Sequence, residues 1–453
     1  MLHAVISINP DAAEHARILD DERAAGRVRG PLHGIPVVLK DNINTRDPMP
    51  TTAGSLALTG NYATDDAGLV ERLRESGAII LAKANLSEWA NFRSTRSVSG
   101  WSGVGGQTTN PYDITRNTCG SSSGSGVVVA ANLAPLAVGT ETDGSVVCPA
   151  SVNGVVGIKP TLGLVSRSGV VPLSHSQDTA GPIARTVTDA VLLLESMAGA
   201  DERDPISITV NEAASGSYTA HLSKEGLAGK RIGILRQLTG FHPGAEMLIN
   251  EAIEVMRARG AEIVDPVEAP TLSGMDEPEY QVLLYEFKAD LNSYLASAPD
   301  TVEHRTLEAL IEYNKKHADV EMPWFGQEIF IEAQATDGLE SEEYLAALEA
   351  SKRLAGPEGI DAILAEHDLD AIIALTTSPA WKIDHVNADH YLGGSSSLAA
   401  VSGYPNITVP VGFVHGLPVG MSIFGASLAE GKLIEIAYAY EQATMHRRPP
   451  AAQ

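Results

Sequence analysis

Short runs of branched apolar residues alternate along this chain with stretches of helical periodicity, a pattern that predicts α/β layering around a mixed sheet. Gly34-Ile-Pro-Val-Val-Leu-Lys-Asp-Asn42 reads as a buried strand whose last residue, Lys40, emerges where the apolar run gives way to a polar loop. Lys230-Arg-Ile-Gly-Ile-Leu235 and Ala371-Ile-Ile-Ala-Leu375 read as further strands. From about 240 to 355 the chain is richer in helix formers, as in Glu246-Met-Leu-Ile-Asn-Glu-Ala-Ile-Glu-Val-Met-Arg257, and this middle region is expected to be helical cover over one core. No charge block, proline-rich run or repeat marks a linker, so residues 1–453 are expected to form a single domain.

Two polar loops interrupt this pattern. Cys119-Gly-Ser-Ser-Ser-Gly-Ser-Gly126 has the composition of a flexible linker, yet the apolar stretch 127–139 follows it directly, so the loop opens a core element instead of joining domains. Gly139-Thr-Glu-Thr-Asp-Gly-Ser-Val-Val-Cys-Pro149 comes next, with Ser145 placed 24 positions after Ser121. A serine hydroxyl is a weak nucleophile unless a base lies within hydrogen-bond reach and donors await the oxyanion it creates. Gly120-Ser-Ser-Ser-Gly124 also matches a nucleophile elbow centred on Ser122, but that motif must follow a strand, and residues 112–118 are polar and turn-like. Lys40, at its strand terminus, is the alternative base; alone, it would read as a surface lysine.

Taken together, Gly34 to Asn42, Gly120-Ser-Ser122 and Gly139 to Ser145 resemble the amidase signature family. Further matches are Gly154-Val-Val-Gly-Ile-Lys-Pro-Thr161, Gln177-Asp-Thr-Ala-Gly-Pro182, Gly403-Tyr-Pro405, Val409-Pro-Val-Gly412 and Gly416-Leu-Pro-Val-Gly420, so the likeness covers nearly the whole chain. The resemblance implies a mixed β-sheet core with helices on both faces. It also implies a Ser-Ser-Lys triad: Ser145 as nucleophile, Ser121 as the bridging serine on a cis peptide, and Lys40 as the base, with no histidine and no cofactor. Backbone N–H groups of Thr142, Asp143 and Gly144, with Ser145 as a further candidate, are the implied oxyanion donors. Asn85 to Arg93, Gly139 to Pro149, Leu284 to Lys288 and Ala437 to Gln442 are similar to the peptide-amidase branch of the family, which implies hydrolysis of a C-terminal carboxamide to acid and ammonia.

The chain departs from the wider family at two positions. Asp143 stands where glycine is usual, and Val147 replaces an arginine common two residues after the nucleophile, which removes an anchor for a substrate carboxylate. For Lys40 to act as a base near pH 7, burial must lower its pKa by about 3 units from about 10.4, a differential of roughly 4 kcal/mol. Asp41 must then point away from the amine or be satisfied elsewhere.

Composition narrows the partners. With 57 acidic against 32 basic side chains the formal charge is −25, which repels phosphate backbones and argues against nucleic acid and against an amidotransferase A-type role. No apolar run reaches the length of a membrane span. The two cysteines, Cys119 and Cys148, read as buried free thiols, with a disulfide conceivable if Ser121 and Ser145 touch. The acid/histidine run Asp384 to His390 reads as a solvated loop and not a metal site. Trp101, Phe325 and Tyr391 are candidate cleft walls, although aromatics in such settings are more often core. Leu2 to Pro10 resembles a segment that family members place after several N-terminal helices, so the chain is expected to lack those helices; the residues shown hold no charged stretch followed by an apolar run of signal-peptide type, and the sequence does not separate cytoplasm from periplasm. A broad amidase of small amides and a non-enzymatic binding module are the remaining readings; oligomeric state is not legible.

Overall fold

The structure, a computed structural model, describes residues 1–214 and 216–451. Its strands, numbered in chain order, are β1 (Val5–Ile8), β2 (Pro36–Lys40), β3 (Ile79–Ala84), β4 (Trp101–Ser102), β5 (Gly106–Gln107), β6 (Leu136–Glu141) and β7 (Val156–Lys159). The second half supplies β8 (Thr179–Ala184), β9 (Arg231–Leu235), β10 (Glu262–Val267), β11 (Ala371–Leu375), β12 (Asn406–Val414) and β13 (Leu417–Phe424). Eleven of them form one sheet in the order β1-β3-β2-β6-β8-β7-β12-β13-β11-β9-β10, while β4 and β5 pair separately. The sheet is mixed: β3-β2-β6 run parallel, with β1 added antiparallel to β3 at that edge, β11-β9-β10 run parallel at the other, and antiparallel pairs lie between.

The pleat explains why these strands are apolar at almost every position. Successive side chains point to opposite faces. Val37 and Leu39 enter a large core shared with helices Gly68–Glu75, Val187–Met197, Pro243–Ala258 and Glu430–Thr444. Val38, between them, packs on the other face with Val127, Val128 and Val129 of helix Ser123–Ala130. At the far end Ile373 belongs to the first face, whereas Ile372 and Ala374 join Leu398 and Ala399 of helix Ser397–Ser402 on the second. Both faces of these inner strands are therefore covered, and the polar residues they do carry, such as Lys40 and Thr140, are buried with the apolar ones.

The middle region is helical, but it is not cover over one core. Helices Asp276–Ser297, Leu307–Lys316 and Glu328–Ala335 turn their apolar residues toward one another and toward Leu58, Trp89, Phe92, Val171 and Leu173, making a second core beside the sheet. Helical periodicity revealed these elements but not the partner each face would meet. The apolar stretch 127–139 likewise divides between the end of helix Ser123–Ala130 and the start of β6. Among the described residues no helix is long and apolar enough to cross a membrane.

Candidate active site

Strand register places Lys40. In the parallel β2–β6 pair Leu39 lies opposite Val138, so the next residue, Lys40, comes out beside Gly139 and Thr140. It shares the face of Val38, beneath helix Ser123–Ala130. That helix sits close because Gly124 has no side chain: a Cβ there would come within 2.3 Å of the Ala4 carbonyl oxygen and 2.6 Å of the Asn85 nitrogen. Lys40 is fully buried, and its Nζ donates to Ser121 Oγ at 2.7 Å, Thr140 Oγ1 at 2.8 Å and the Thr140 carbonyl at 3.1 Å. Burial pulls the amine down to about 7, with the charges of Asp178 and Glu141 opposing the fall. Asp41 is satisfied elsewhere, as the chemistry requires: it pairs with Lys83 Nζ at 3.1 Å and accepts from both the backbone N–H and the hydroxyl of Thr52.

Ser121 follows Gly120 through a cis peptide bond, and its carbonyl accepts from the Ser87 N–H at 3.0 Å. Ser122, the elbow candidate, is committed to β6, where its hydroxyl donates to the Thr140 carbonyl at 3.0 Å and accepts from the Thr140 N–H at 3.1 Å. No strand immediately precedes it, so the elbow geometry is missing. Ser145 stands two residues before helix Val147–Val152 and is slightly exposed, at 7%. The Ser122 N–H donates to the Ser145 carbonyl at 3.1 Å, which binds the two serine loops side by side. No hydrogen bond between the Ser121 and Ser145 hydroxyls is present among the described residues.

The same juxtaposition corrects the reading of the cysteines. Cys119 and Cys148 are not free thiols but a disulfide, with Cα atoms 6.0 Å apart. Each lies within three residues of one of the two serines, and once the loops are adjacent their separation falls in the range a disulfide spans. The two half-cystines cluster with Val152, Ala380 and Trp381.

Past β6 the chain turns through Thr142, Asp143 and Gly144. Gly144 has φ +75°, and a Cβ there would approach Ser396 Oγ to 2.9 Å, so the turn requires glycine at that point. Among the described residues the N–H groups of Thr142, Asp143, Gly144 and Ser145 have no hydrogen-bond partner within the protein. Thr142 is anchored by its hydroxyl, which donates to Asp178 Oδ1 at 2.6 Å; Asp178 also accepts from the N–H groups of Leu173 and Ser174, and burial pushes it up to about 6. Glu141 Oε2 accepts from the N–H groups of Val146 and Val147 at 2.8 and 3.0 Å, a carboxylate at the positive end of a short helix.

Beside Gly144 opens a cleft of about 340 Å³ bounded by Asn91, the disulfide, Trp381 and Tyr391, with no lysine or arginine among its lining residues. Tyr391 thus is a wall, half exposed. Trp101 and Phe325 are not: they are buried around the Arg93 guanidinium, which lies 4.4 Å from the Phe325 ring centre and pairs with Glu88 at 2.9 Å. A fully buried guanidinium needs both a counter-charge and a polarisable wall, and this one draws the two aromatics inward. The 384–390 run is only partly a solvated loop, because Asp389 turns in to accept from the Ser99 N–H, Asn117 Nδ2 and Trp381 Nε1 at 2.9 to 3.0 Å. Thr140, Glu141, Asp178 and Asn91 were not singled out from the sequence, although all four lie in the quoted family motifs, Asn91 within Asn85 to Arg93. Asn91 reaches the cleft through three successive left-handed residues, Trp89, Ala90 and Asn91.

The sequence profile of the family described as Amidase matches residues 2–434. The chain belongs to that family. In backbone it is similar to a peptide amidase solved in complex with the competitive inhibitor chymostatin, at 55% identity and a TM-score of 0.96, covering 100% of this chain and 91% of the other. In sequence it is 45% identical to a probable amidase of Arabidopsis thaliana, over 99% of this chain and 85% of the relative. It is also 36% identical to the A-type component of the glutamyl-tRNA(Gln) amidotransferase of Symbiobacterium thermophilum, over 98% of this chain and 90% of the relative. This amidase is an enzyme that hydrolyses amide C–N bonds.

Proposed function

We propose that this amidase is a peptide amidase, a single catalytic domain that converts the C-terminal carboxamide of a peptide to a free acid and ammonia. The observation that carries the proposal is the 55% identity, across the whole chain, to a peptide amidase that binds the inhibitor chymostatin. In the proposed reaction the neutral Lys40 amine takes the Ser121 proton while Ser121 takes that of Ser145, and Ser145 Oγ attacks the amide carbon. The N–H groups of Thr142, Asp143 and Gly144 receive the oxyanion. Return of the proton through the two hydroxyls expels ammonia, and water then releases the acid from the acyl-serine.

Two features of the cleft favour a neutral terminal amide over a terminal carboxylate. No basic side chain lines it, and Val147, where the wider family carries arginine, is buried with its N–H given to Glu141. Tyr391 lines the cleft half exposed, the adjacent Leu392 is exposed, and His385 of the same loop stacks with Trp324 at 4.4 Å between ring centres, an apolar surface suited to the acyl side of a peptide. Mass spectrometry of a peptide amide after incubation tests the proposal. A gain of ~1 Da at the C-terminus with no shorter fragments is expected; internal cleavage, or turnover confined to simple amides such as benzamide, overturns it. An amidotransferase A-type role, favoured by the 36% relative, predicts no turnover of peptide amides.

A further inference from the structure

Behind the turn at Thr142 to Gly144 two carboxyl groups meet. Asp143 Oδ2 accepts from Ser397 Oγ at 2.7 Å. The Ser396 hydroxyl acts on the same carboxyl group, whose Oδ1 is sealed from solvent, and Glu279 of helix Asp276–Ser297 meets that group across a side-chain hydrogen bond. Glu279 Oε1 accepts from Gln177 Nε2 at 2.9 Å, and the same nitrogen reaches the Thr142 carbonyl at 3.3 Å. Asp143 and Glu279 are thus the inner members of a chain running from helix Ser397–Ser402, through the turn, to the helical core beside the sheet.

A hydrogen bond between two carboxyl groups requires one proton, because two carboxylates have no donor and repel each other. Burial raises both groups; Asp143 has the Ser396 and Ser397 hydroxyls and Lys159 to stabilise its charge, whereas Glu279 has the Gln177 amide and lies near Asp276, so the proton belongs on Glu279 and Asp143 is the acceptor. Lys159 of β7 is the cation that acts on Asp143, from the sheet side; Glu141 and the Tyr391 hydroxyl face the same region, and Asp276 adds negative charge on the helix of Glu279. The position usually held by glycine here carries a side chain, and that side chain ties the turn down at its centre.

We infer that Glu279 is a positioning residue: the proton it shares with Asp143 holds the Thr142 to Gly144 turn in the geometry that receives the oxyanion. The inference rests on the proposed roles of Ser145 and of that turn, and not on which amide is hydrolysed. Loss of the shared proton sets a second negative charge beside the turn, where it repels both Asp143 and any developing oxyanion.

A fluorophosphonate probe tests this without knowledge of the substrate, since Ser145 Oγ bonds to phosphorus, fluoride leaves, and the phosphonyl oxygen enters the same turn. The maximal labelling rate and the half-saturating probe concentration are measured from about pH 6 to 10 for the unaltered enzyme, Glu279→Ala and Glu279→Gln, with circular dichroism as the check on folding. The unaltered enzyme is expected to lose labelling rate at the alkaline end. Glu279→Ala should label at least ~10-fold more slowly with half-saturation unchanged, since it loosens donors whose outright loss costs more. Glu279→Gln, whose amide N–H replaces the shared proton and cannot dissociate, should stay within ~3-fold of the unaltered rate and lose the alkaline fall. Labelling of Glu279→Ala at the unaltered rate, or one common pH profile for the unaltered and Glu279→Gln enzymes, overturns the inference. If Glu279→Ala does not fold, the alkaline limb of Glu279→Gln decides alone. An unaltered enzyme inert to the probe overturns the assignment of Ser145 and this inference with it, whereas a wrong substrate leaves the labelling results standing.

Discussion

The rate of amide hydrolysis should rise with pH through about 7, because only the neutral Lys40 amine can accept a proton. The sign follows from burial: desolvation disfavours the charged amine and takes it from 10.5 to about 7, which corresponds to ~5 kcal/mol between the two protonation states. A lysine left at its ordinary value would be neutral in only about one molecule in 3,000 at pH 7, against about half at the lowered value. Below pH 7 the rate should therefore fall about tenfold per pH unit, and above pH 8 it should level off until any alkaline limb begins. Asp178 supplies the leading charge that opposes the fall, with Glu141 behind it. Asp178→Asn removes a negative charge that favours the ammonium, so the amine should be depressed further and the rising limb should move to lower pH. The variant also weakens the anchor of Thr142, which lowers the plateau, so the position of the limb and not its height is the readout. The assay is ammonia release from a peptide amide at saturating substrate across the pH range, with chemistry shown to limit the rate. A limb near pH 10 in the unaltered enzyme, or one that moves to higher pH in Asp178→Asn, would refute the argument that burial sets the base.

Two further outcomes follow from the same geometry. Ser145→Ala should abolish turnover and probe labelling, whereas Ser121→Ala and Lys40→Ala should each cost at least ~10²-fold in kcat, measured by ammonia release, while no single histidine→alanine change has a comparable effect. Replacing both Cys119 and Cys148 by serine should lower stability by ~3 to 4 kcal/mol in a chain-entropy account of a loop closed across 29 residues, read as the difference in denaturant midpoint between the variant and the oxidised enzyme, and kcat should fall because the two serine loops lose their covalent tie.

Several features were determined by the sequence itself, for local reasons. A short apolar run ending in lysine fixes a strand terminus, so Lys40 was legible as a residue emerging at the end of β2. A Ser/Gly loop running straight into valines fixes the start of a buried element, and helix Ser123–Ala130 begins there. The ordered motifs carried the family. Tertiary structure decided what depends on neighbours distant along the chain. Lys40 meets Ser121 only because β2 and β6 pair in parallel and a glycine-lined helix lies across them; the relevant hydrogen bond spans 81 positions. The amine is lowered because that packing excludes water, a property no residue of the strand encodes alone. Cys119 and Cys148 pair because adjacent loops set their Cα atoms at bridging distance, and Trp101 and Phe325 turn inward because buried Arg93 takes them. Asp143 shows the division most clearly: its identity was evident as a departure at a glycine position, but its partner Glu279 lies on a helix 136 residues further on, in a second core whose existence periodicity did not disclose. Local pattern records which faces of an element are apolar, while the choice of what each face and each buried charge will meet is made by packing.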